Sequence, residues 1–287
     1  MTSQELEFAG LRKDQPPLTV IEPLTGWIPL KLRELWQYRD LFYFLVWRDV
    51  KVRYAQSILG VGWAVIQPLF SMIVFTIVFG NLAKVSSDGV PYAIFSYAAL
   101  VPWTYFSGAL AGATSSLIGA SGMLTKVYFP RLIIPLTPVL AKLVDFGIAL
   151  LILFGLMLWF GIAPTIWLLA LPLLVLLMML AAAGMGMWLT ALAVQYRDVN
   201  YAMSFAVQLL MYAAPVVYPA SSVPEQWQLL YALNPMVGVI EGFRAALLGS
   251  RPMPWDWIAV GACTASFVAI SGAFYFRRME RIFADVV

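Results

Sequence analysis

The stretch "FGIALLILFGLMLWFGIAPTIWLLALPLLVLLMMLAAAGMGMWLTALAVQY", residues 146–196, decides the fold class, because its 51 residues include no Asp, Glu, Lys or Arg. An apolar helix needs only about 20 residues to cross the hydrocarbon core of a bilayer. The stretch is therefore too long for one crossing, and "GIAPT" at residues 161–165 is a turn signal. We predict the end of one membrane-spanning helix, a turn and most of a second helix.

The composition of the whole chain agrees with this interpretation. Its 287 residues are 62% hydrophobic and only 11% charged, whereas about 25% of the residues in a soluble domain are charged. The chain has no histidine and a single cysteine, Cys263, which excludes an internal disulfide and argues against a His/Cys metal site. We predict an all-α integral membrane protein that is not an enzyme, holds no cofactor or metal of its own and has no nucleic-acid partner.

Charge-free runs between charged connections predict six transmembrane helices. Their expected bounds are about 60–82, 93–118, 134–160, 166–194, 199–217 and 256–276. With the N-terminus in the cytoplasm, 14 of the 18 Lys and Arg residues fall in cytoplasmic segments. Because cytoplasmic loops carry an excess of basic residues, we expect both termini on that side of the membrane.

Three regions of the chain lead to different expectations. Residues 1–29 are polar and rich in proline and acidic residues, without the order of a cleaved signal peptide, so we predict a cytoplasmic tail. Residues 30–56 contain an apolar run too short to cross the membrane and bracketed by charges, which favours an interfacial amphipathic helix. Residues 57–287 would form the transmembrane domain.

The connection at residues 218–255 is long, apolar and aromatic, and prolines and glycines interrupt it. Short apolar helical fragments are typical of re-entrant segments, and irregular backbone at membrane depth is tolerated only against protein or a water-filled cavity. We therefore predict an external re-entrant helical hairpin between spans five and six, beside a translocation path.

Apart from Asp256 at the first position of the sixth, Lys142 and Asp145 are the only charges inside a predicted span, and their spacing puts them on one face of a helix. A single charge at a helix centre costs about 2.5–3.5 kcal/mol on insertion scales, so pairing would offset part of that cost. A self-neutralising pair is one interpretation. A proton relay and a polar contact for a substrate are the alternatives.

Two connections on the predicted cytoplasmic side carry further signals. "KVYFPRLIIP" at residues 126–135 combines basic, aromatic and proline residues, which indicates either a docking element for a cytoplasmic partner or a simple positive-inside anchor. Arg197 and Asp198 mark a tight turn between spans four and five. No G-x-x-x-x-G-K-[ST] motif is present, so any ATP that powers the protein would be bound by another subunit.

Several ordered motifs resemble one family. They are "DVKVRYAQSILGVGWAVIQPL" at 49–69, "LVPWTYFSGAL" at 100–110, "LTKVYFPRLIIPL" at 124–136, "YRDVN" at 196–200 and "YPASSVPEQWQLLYALNPMVGVIEGFRAALLG" at 218–249. Together they are similar to the ABC-2 permeases that export polysaccharides, the membrane subunits of O-antigen and teichoic acid transporters. The resemblance covers roughly residues 30–280.

This resemblance implies partners and a substrate. It implies a homodimer in the bacterial inner membrane with two separate ABC ATPase subunits, which bind ATP and magnesium. It also implies outward movement of an undecaprenyl-diphosphate-linked glycan such as O-antigen, teichoic acid or a similar cell-surface polysaccharide. The alternatives are an ABC-2 exporter of a drug or a small lipid and, less favoured, a proton-coupled secondary transporter.

Three groups of site residues follow. The expected ATPase coupling segment comprises Leu124, Thr125, Lys126, Val127, Tyr128, Phe129, Pro130 and Arg131, and Arg197 or Asp198 is expected to pair with it or with the partner. The expected entrance and lipid-diphosphate contacts are Arg48, Lys51, Arg53, Leu59 and Gly60. The expected external gate and glycan path comprise Tyr212, Tyr218, Trp227, Tyr231, Asn234, Pro235, Glu241 and Arg244.

Overall fold

The computed structural model describes residues 32–55, 60, 62–124, 128–196, 198–280 and 283. Every regular element in these ranges is helical, and none of them forms a β-strand. The predicted all-α fold is thereby confirmed for the described part of the chain. The predicted tail at residues 1–29 lies outside it.

Two helices, α1 (Leu32–Gln37) and α2 (Arg39–Ala55), form the N-terminal part of the described structure. They lie within the range predicted for the interfacial helix, and α2 contacts the long helix α6 (Ile133–Phe160). Leu45 is the only buried residue of α2. Its remaining apolar side chains are left at least partly uncovered, as the surface of a bilayer would allow.

The other helices follow the apolar runs of the sequence. They are α3 (Gly62–Phe75) with a π-helical continuation (Thr76–Leu82), α4 (Tyr92–Gly119), the short α5 (Ser121–Leu124), α6, α7 (Leu171–Gln195) after a 3-10 turn (Ile166–Ala170), α8 (Asp198–Tyr212), α9 (Glu225–Ala232), α10 (Pro235–Leu248) and α11 (Trp255–Met279).

Four of the described helices are long and apolar enough to cross a membrane: Gly62–Leu82, Ile133–Phe160, Ile166–Gln195 and Trp255–Met279. They match the predicted first, third, fourth and sixth spans. The predicted second span corresponds to α4, whose 28 residues are long enough but include many Ser, Thr, Tyr and Gly residues that lower its hydropathy. The predicted fifth span corresponds to α8, which has only 15 residues.

The fifth predicted span was too long at its C-terminal end. We expected a helix over residues 199–217, whereas α8 ends at Tyr212 and is followed by turns. Pro215 explains the difference, because proline has no backbone N–H and disfavours helical geometry at the preceding residue. At about 1.5 Å per residue, a helix of this length is shorter than the hydrocarbon core.

The centre of the fold is α4. It packs against α6, α7 and α10, and a continuous series of its residues from Ile94 to Pro102 is fully buried. Hydroxyl groups on α4 do not remain unpaired: Tyr97 donates to the Ala149 carbonyl at 3.3 Å, and Tyr105 donates to the Val139 carbonyl at 2.9 Å. The central helix can thus be less hydrophobic than its neighbours, since protein rather than lipid surrounds it.

Helices α7 and α11 cross at very short range. A Cβ atom added to Gly272 would lie 2.5 Å from the Gly184 carbonyl oxygen, and one added to Gly184 would lie 2.6 Å from the Ala269 nitrogen. Small residues allow this approach, which is a common way for membrane helices to associate. Next to the crossing, the rings of Trp188 and Tyr275 stack with centroids 4.1 Å apart.

We expect Gly272→Val to separate α7 from α11. Overpacking of a close contact typically costs about 1–3 kcal/mol, and here the added atoms would meet backbone that cannot move aside alone. The thermal unfolding temperature of the purified protein in detergent should fall. Gly155→Ala is the matched control, because a Cβ there meets nothing within 4 Å. Equal unfolding temperatures for the two variants would contradict the close crossing.

Candidate functional site

A buried ion pair lies on α10. The Arg244 side chain is 1% exposed and the Glu241 side chain 4% exposed, and Arg244 Nη1 donates to Glu241 Oε1 at 2.8 Å. The guanidinium also lies over the Phe95 ring, 3.6 Å from its centroid. A buried charge is tolerated only when it is paired and hydrogen-bonded, so the surroundings of this pair indicate what it does.

The pair holds an irregular backbone segment, residues 213–219, which connects α8 to the turn before α9. Arg244 Nη2 donates to the Val216 carbonyl at 3.0 Å, and Nη1 donates to the Tyr218 carbonyl at 3.4 Å. On the other side, Glu241 accepts a hydrogen bond from the Ala220 N–H at 3.2 Å. Arg244 and Glu241 therefore supply the hydrogen-bond partners that backbone groups in and next to this segment would otherwise find within a helix.

Two more side chains fix the same irregular segment. The Tyr92 hydroxyl, at the start of α4, donates to the Val217 carbonyl at 2.6 Å. Asn234 caps the N-terminus of α10 by accepting from the Met236 N–H, and its amide donates to the Ala213 carbonyl at 3.2 Å. The segment is thus attached to both α4 and α10.

A large apolar cavity lies beneath α9. We call it the α9 cavity; its volume is about 860 Å³, and α7 and α11 form its long walls. Four of the residues predicted for the external gate and glycan path line it: Trp227, Tyr231, Asn234 and Pro235. The structure therefore brings half of that predicted group together around one cavity.

The other four predicted gate residues lie outside the cavity lining. Glu241 and Arg244 are buried at the irregular segment, as described above. The Tyr218 hydroxyl donates to the Tyr212 carbonyl at 2.9 Å and lies 2.9 Å from the Tyr231 hydroxyl. A chain of hydrogen bonds therefore runs from the end of α8 to α9, at the edge of the cavity.

A second charged cluster joins α2 to α6. Asp145 Oδ2 accepts from Lys142 Nζ at 2.8 Å and from Arg53 Nη1 at 3.0 Å. The Tyr54 hydroxyl donates to the other oxygen of Asp145, and Arg53 Nη2 also donates to Asp49 at 2.9 Å. We call these five residues the Asp145 cluster. The Lys142–Asp145 pairing predicted from the sequence is present, but Asp145 also binds the N-terminal helix.

The protonation of Tyr54 suits its role as a donor. Burial, reinforced by the neighbouring Asp145 carboxylate, raises the pKa of Tyr54 to about 12. The phenol therefore keeps its proton at neutral pH and can donate to Asp145. This hydrogen bond and the Arg53 ion pair are the polar contacts that join the C-terminal end of α2 to α6 within the described residues.

The three predicted lipid-diphosphate contacts differ in their surroundings. Arg53 is bound by two carboxylates in the Asp145 cluster. Lys51 Nζ lies 4.7 Å from the centroid of the Trp47 ring. Arg48 is exposed and lies at a polar crevice of about 290 Å³ between α2, α4 and α6. Arg48 and Lys51 thus have no carboxylate partner within the described residues.

The predicted loop before span one is only partly described. Gly60 has a positive φ of 48°, a conformation that favours glycine, and lies two residues before the start of α3. Leu59 lies outside the described residues. The glycine of the predicted Leu59-Gly60 pair therefore occupies a tight turn at the entry to the first apolar helix.

The predicted coupling segment is also partly described. Leu124 ends α5, Tyr128 is 73% exposed, and Phe129 and Pro130 are buried. Arg131 Nη1 donates to the Glu280 carbonyl at 2.9 Å, just after the end of α11. Thr125, Lys126, Val127 and Arg197 lie outside the described residues. Asp198 begins α8, is exposed and forms no ion pair within the described part of the chain.

Comparison with known proteins decides the family. The family model described as "ABC-2 type transporter" matches residues 40–248, which is more than half of the chain. The chain belongs to the ABC-2 type transporter family. The family resemblance expected from the sequence motifs is confirmed, and the apolar helices described above identify this family member as a multi-pass membrane protein.

Curated relatives of this ABC-2 family member include export permeases. It is 31% identical over 253 residues to the O-antigen export system permease protein RfbA of Myxococcus xanthus, covering 87% of this chain and 96% of that protein. It is 24% identical over 249 residues to RfbA of Klebsiella pneumoniae, covering 86% and 95%. Its identity to the polysialic acid transport protein KpsM of Escherichia coli is 21% over 235 residues, covering 78% and 88%.

Sequence reasoning missed several residues of this ABC-2 permease. Trp188 lines the α9 cavity but lies within the long charge-free stretch, where no pattern separates cavity from lipid contact. Tyr54 and Asp49 were not linked to Asp145, although Asp49 and Arg53 are spaced by four residues on α2. That spacing was a usable signal. It indicates an ion pair on one face of α2, and a charged pair inside a membrane span needs further polar partners, which such an ion pair can supply.

Proposed function

We propose that this chain is the membrane-spanning subunit of an ATP-driven exporter that moves undecaprenyl-diphosphate-linked polysaccharide out of the cytoplasm. The observation that carries the proposal is the near full-length similarity to O-antigen export permeases. The presence of a polysialic acid transport protein among the relatives supports a polysaccharide substrate over a drug or a small lipid.

The proposed assembly is a homodimer of this chain with two ATPase subunits in the bacterial inner membrane. The chain contains no phosphate-binding loop motif of its own, so ATP and magnesium would be bound by those subunits. Two apolar helices also need an external surface: Pro68 is the only buried residue of α3, and Met203 the only one of α8. Lipid and a second copy of the chain would cover these faces.

The proposed topology has six membrane helices with both termini in the cytoplasm. The four apolar helices supply four crossings, and α4 and α8 supply the second and the fifth. The short α8 suits this role if the irregular segment after it continues towards the outer surface, held by Arg244 and Glu241. In this topology α9 and α10 form the external re-entrant hairpin, and residues 57–287 form the transmembrane domain.

The proposed path begins at α2. The lipid diphosphate would meet Arg48 and Lys51, which pair with no carboxylate among the residues that the structure describes, while Arg53 holds α2 against α6. The segment at residues 124–131 would receive the motion of the ATPase, with Arg197 or Asp198 beside it. The glycan would leave past the tyrosines at the edge of the α9 cavity.

The proposal predicts a specific cellular phenotype. Cells that lack this chain should accumulate lipid-linked glycan in the cytoplasm and lose it from the surface, because synthesis continues while the export route is missing. Extraction of lipid-linked glycan and surface staining measure both pools. Re-expression of the chain is the control, and normal surface glycan in the deleted strain would falsify the proposal.

A second measurement separates polysaccharide export from export of a drug or a small lipid. The purified permease with its ATPase subunits should hydrolyse ATP faster in the presence of a lipid-linked oligosaccharide. Lipophilic drugs and short lipids are the comparison compounds. Stimulation by these compounds alone would favour the alternative exporter.

A further inference from the structure

We propose that the α9 cavity binds the hydrocarbon chain of the lipid carrier, so that the carrier and its glycan contact different parts of the permease. This inference rests on the proposed function, since it assigns a site to one half of the lipid-linked substrate. Four independent features of the cavity support it.

The position of the cavity is the first feature. Its long walls are α7 and α11, which belong to two of the four helices apolar enough to cross a membrane. The cavity opens at the surface of the chain, and its volume of about 860 Å³ lies within the range of about 300–1,000 Å³ typical of small-molecule sites. A lipid chain can therefore enter it from the bilayer without crossing water.

The lining is the second feature. No Asp, Glu, Lys or Arg among the described residues contributes to it, and aromatic rings from four helices face it, including Trp103, Trp188 and Phe267. A diphosphate would find no counter-charge there. A hydrocarbon chain would exchange lipid contacts for contacts with these rings at no cost in hydrogen bonds.

The state of the polar side chains in the lining is the third feature. Trp188 Nε1 donates to the Ser271 hydroxyl at 3.1 Å, and that hydroxyl donates to the Val268 carbonyl. The Thr264 hydroxyl donates to the Val260 carbonyl. These groups are therefore already satisfied within the chain.

Two further polar residues of the lining are satisfied in the same way. The Tyr231 hydroxyl pairs with that of Tyr218, and both ends of the Asn234 amide are bound to backbone groups. A glycan brought into the cavity would lose water around each hydroxyl and gain few hydrogen bonds in return. The cavity thus selects against the sugar and for the lipid.

Continuity with the proposed gate is the fourth feature, and it favours the carrier over a membrane phospholipid. Tyr231, Asn234 and Pro235 belong both to the cavity lining and to the predicted gate group. A chain bound in the cavity would hold its headgroup next to the tyrosines that connect α8 to α9. A carrier needs its headgroup at the exit during export, whereas a phospholipid gains nothing from that placement.

The test uses the purified permease with its ATPase subunits and an undecaprenyl diphosphate analogue that carries a photoreactive diazirine on its chain. We expect labelled peptides from α7 and α11, and competition by unlabelled undecaprenyl diphosphate but not by excess phospholipid. A phospholipid with the same diazirine is the comparison probe. Equal labelling of the cavity by that probe, or competition by phospholipid, would overturn the inference.

Two matched variants on α11 test the cavity: one places a large side chain inside it, and the other places the same side chain outside it. Val268 lines it, whereas Ile270 lies on the same helix, is 59% exposed and does not. Val268→Trp should lower labelling by about tenfold, and Ile270→Trp should not change it. Size-exclusion chromatography checks folding, and Leu210→Trp on the α8 side of the cavity replaces Val268→Trp if that variant misfolds. Undiminished labelling in folded cavity-filled protein would contradict the inference.

A second copy of the chain is the competing occupant. The chain has one cysteine, so Cys263→Ser gives a cysteine-free background for Val268→Cys and Ile270→Cys. Crosslinking of position 268, and not of position 270, to a second copy would show that the dimer fills the cavity and would overturn the inference. Failure of labelling together with normal glycan export would overturn the inference and leave the proposed function intact. Normal surface glycan in the deleted strain would instead contradict the proposed function itself.

Discussion

Arg244→Met should leave little folded protein. The substitution removes the only cation that pairs with the buried Glu241 carboxylate in the described part of the chain, and it also removes donors from the Val216 and Tyr218 carbonyls. Breaking a buried ion pair by removing one partner typically costs about 3–5 kcal/mol, a large share of the total of about 5–15 kcal/mol that stabilises an ordinary domain. The yield of monodisperse protein and the thermal unfolding temperature in detergent measure the loss.

Two further variants separate the charge from the hydrogen bonds. The double variant Arg244→Met with Glu241→Met removes the uncompensated carboxylate, so it should be more stable than Arg244→Met alone. It should still be less stable than the parent, because the irregular segment has lost its donors. Arg251→Met is the matched control, since Arg251 is exposed. If Arg244→Met unfolds at the temperature of this control, the hydrogen bonds from Arg244 to the irregular segment do not stabilise the fold.

Asp145→Ala should release α2 from α6. Three groups from two helices converge on this carboxylate, whose side chain is 20% exposed, and only Leu45 of α2 is buried. Hydrogen bonds to charged groups contribute about 1.5–3 kcal/mol each before solvent screening, and the partial exposure reduces that value here. Limited proteolysis within α2 should become about tenfold faster, as expected for a loss of about 1.4 kcal/mol.

Two further variants test separately whether the effect of Asp145→Ala comes from the loss of any carboxylate and whether the Lys142–Asp145 pair transfers protons. Asp40→Ala removes a carboxylate of α2 that is 94% exposed, so its proteolysis rate should stay at the parental value. Lys142→Met combined with Asp145→Asn removes both intramembrane charges. Export that continues in this double variant would exclude the proton relay. A proteolysis rate in Asp145→Ala equal to that in Asp40→Ala would show that other contacts attach α2.

Helix positions were predictable because the length of an apolar run determines them. The predicted third span at 134–160 corresponds to α6 at Ile133–Phe160, and the sixth at 256–276 corresponds to α11 at Trp255–Met279. The fifth span was predicted less well, since a charge-free run does not reveal that Pro215 ends the helix early. A run of apolar residues predicts burial or lipid contact, but not which of the two.

The contacts of the charged residues were harder to predict. Arg53 and Asp145 are separated by 92 positions, and helical spacing relates only neighbours on one helix. Arg244 was assigned to the gate, and its role as a buried donor was missed because its partners are backbone carbonyls of an irregular segment. No side-chain pattern marks such acceptors in a sequence.

The close crossing of α7 and α11 has a mechanical consequence. The two long walls of the α9 cavity meet at Gly184 and Gly272 with no space for a side chain between their backbones, so tight packing joins the two walls at this point. Helix α9, which lies over the cavity, is packed less tightly against the rest of the chain, because Ala232 is its only buried residue. With that crossing fixed, a change in the width of the cavity would have to come from the other helices that line it, among them α4, α8 and α9.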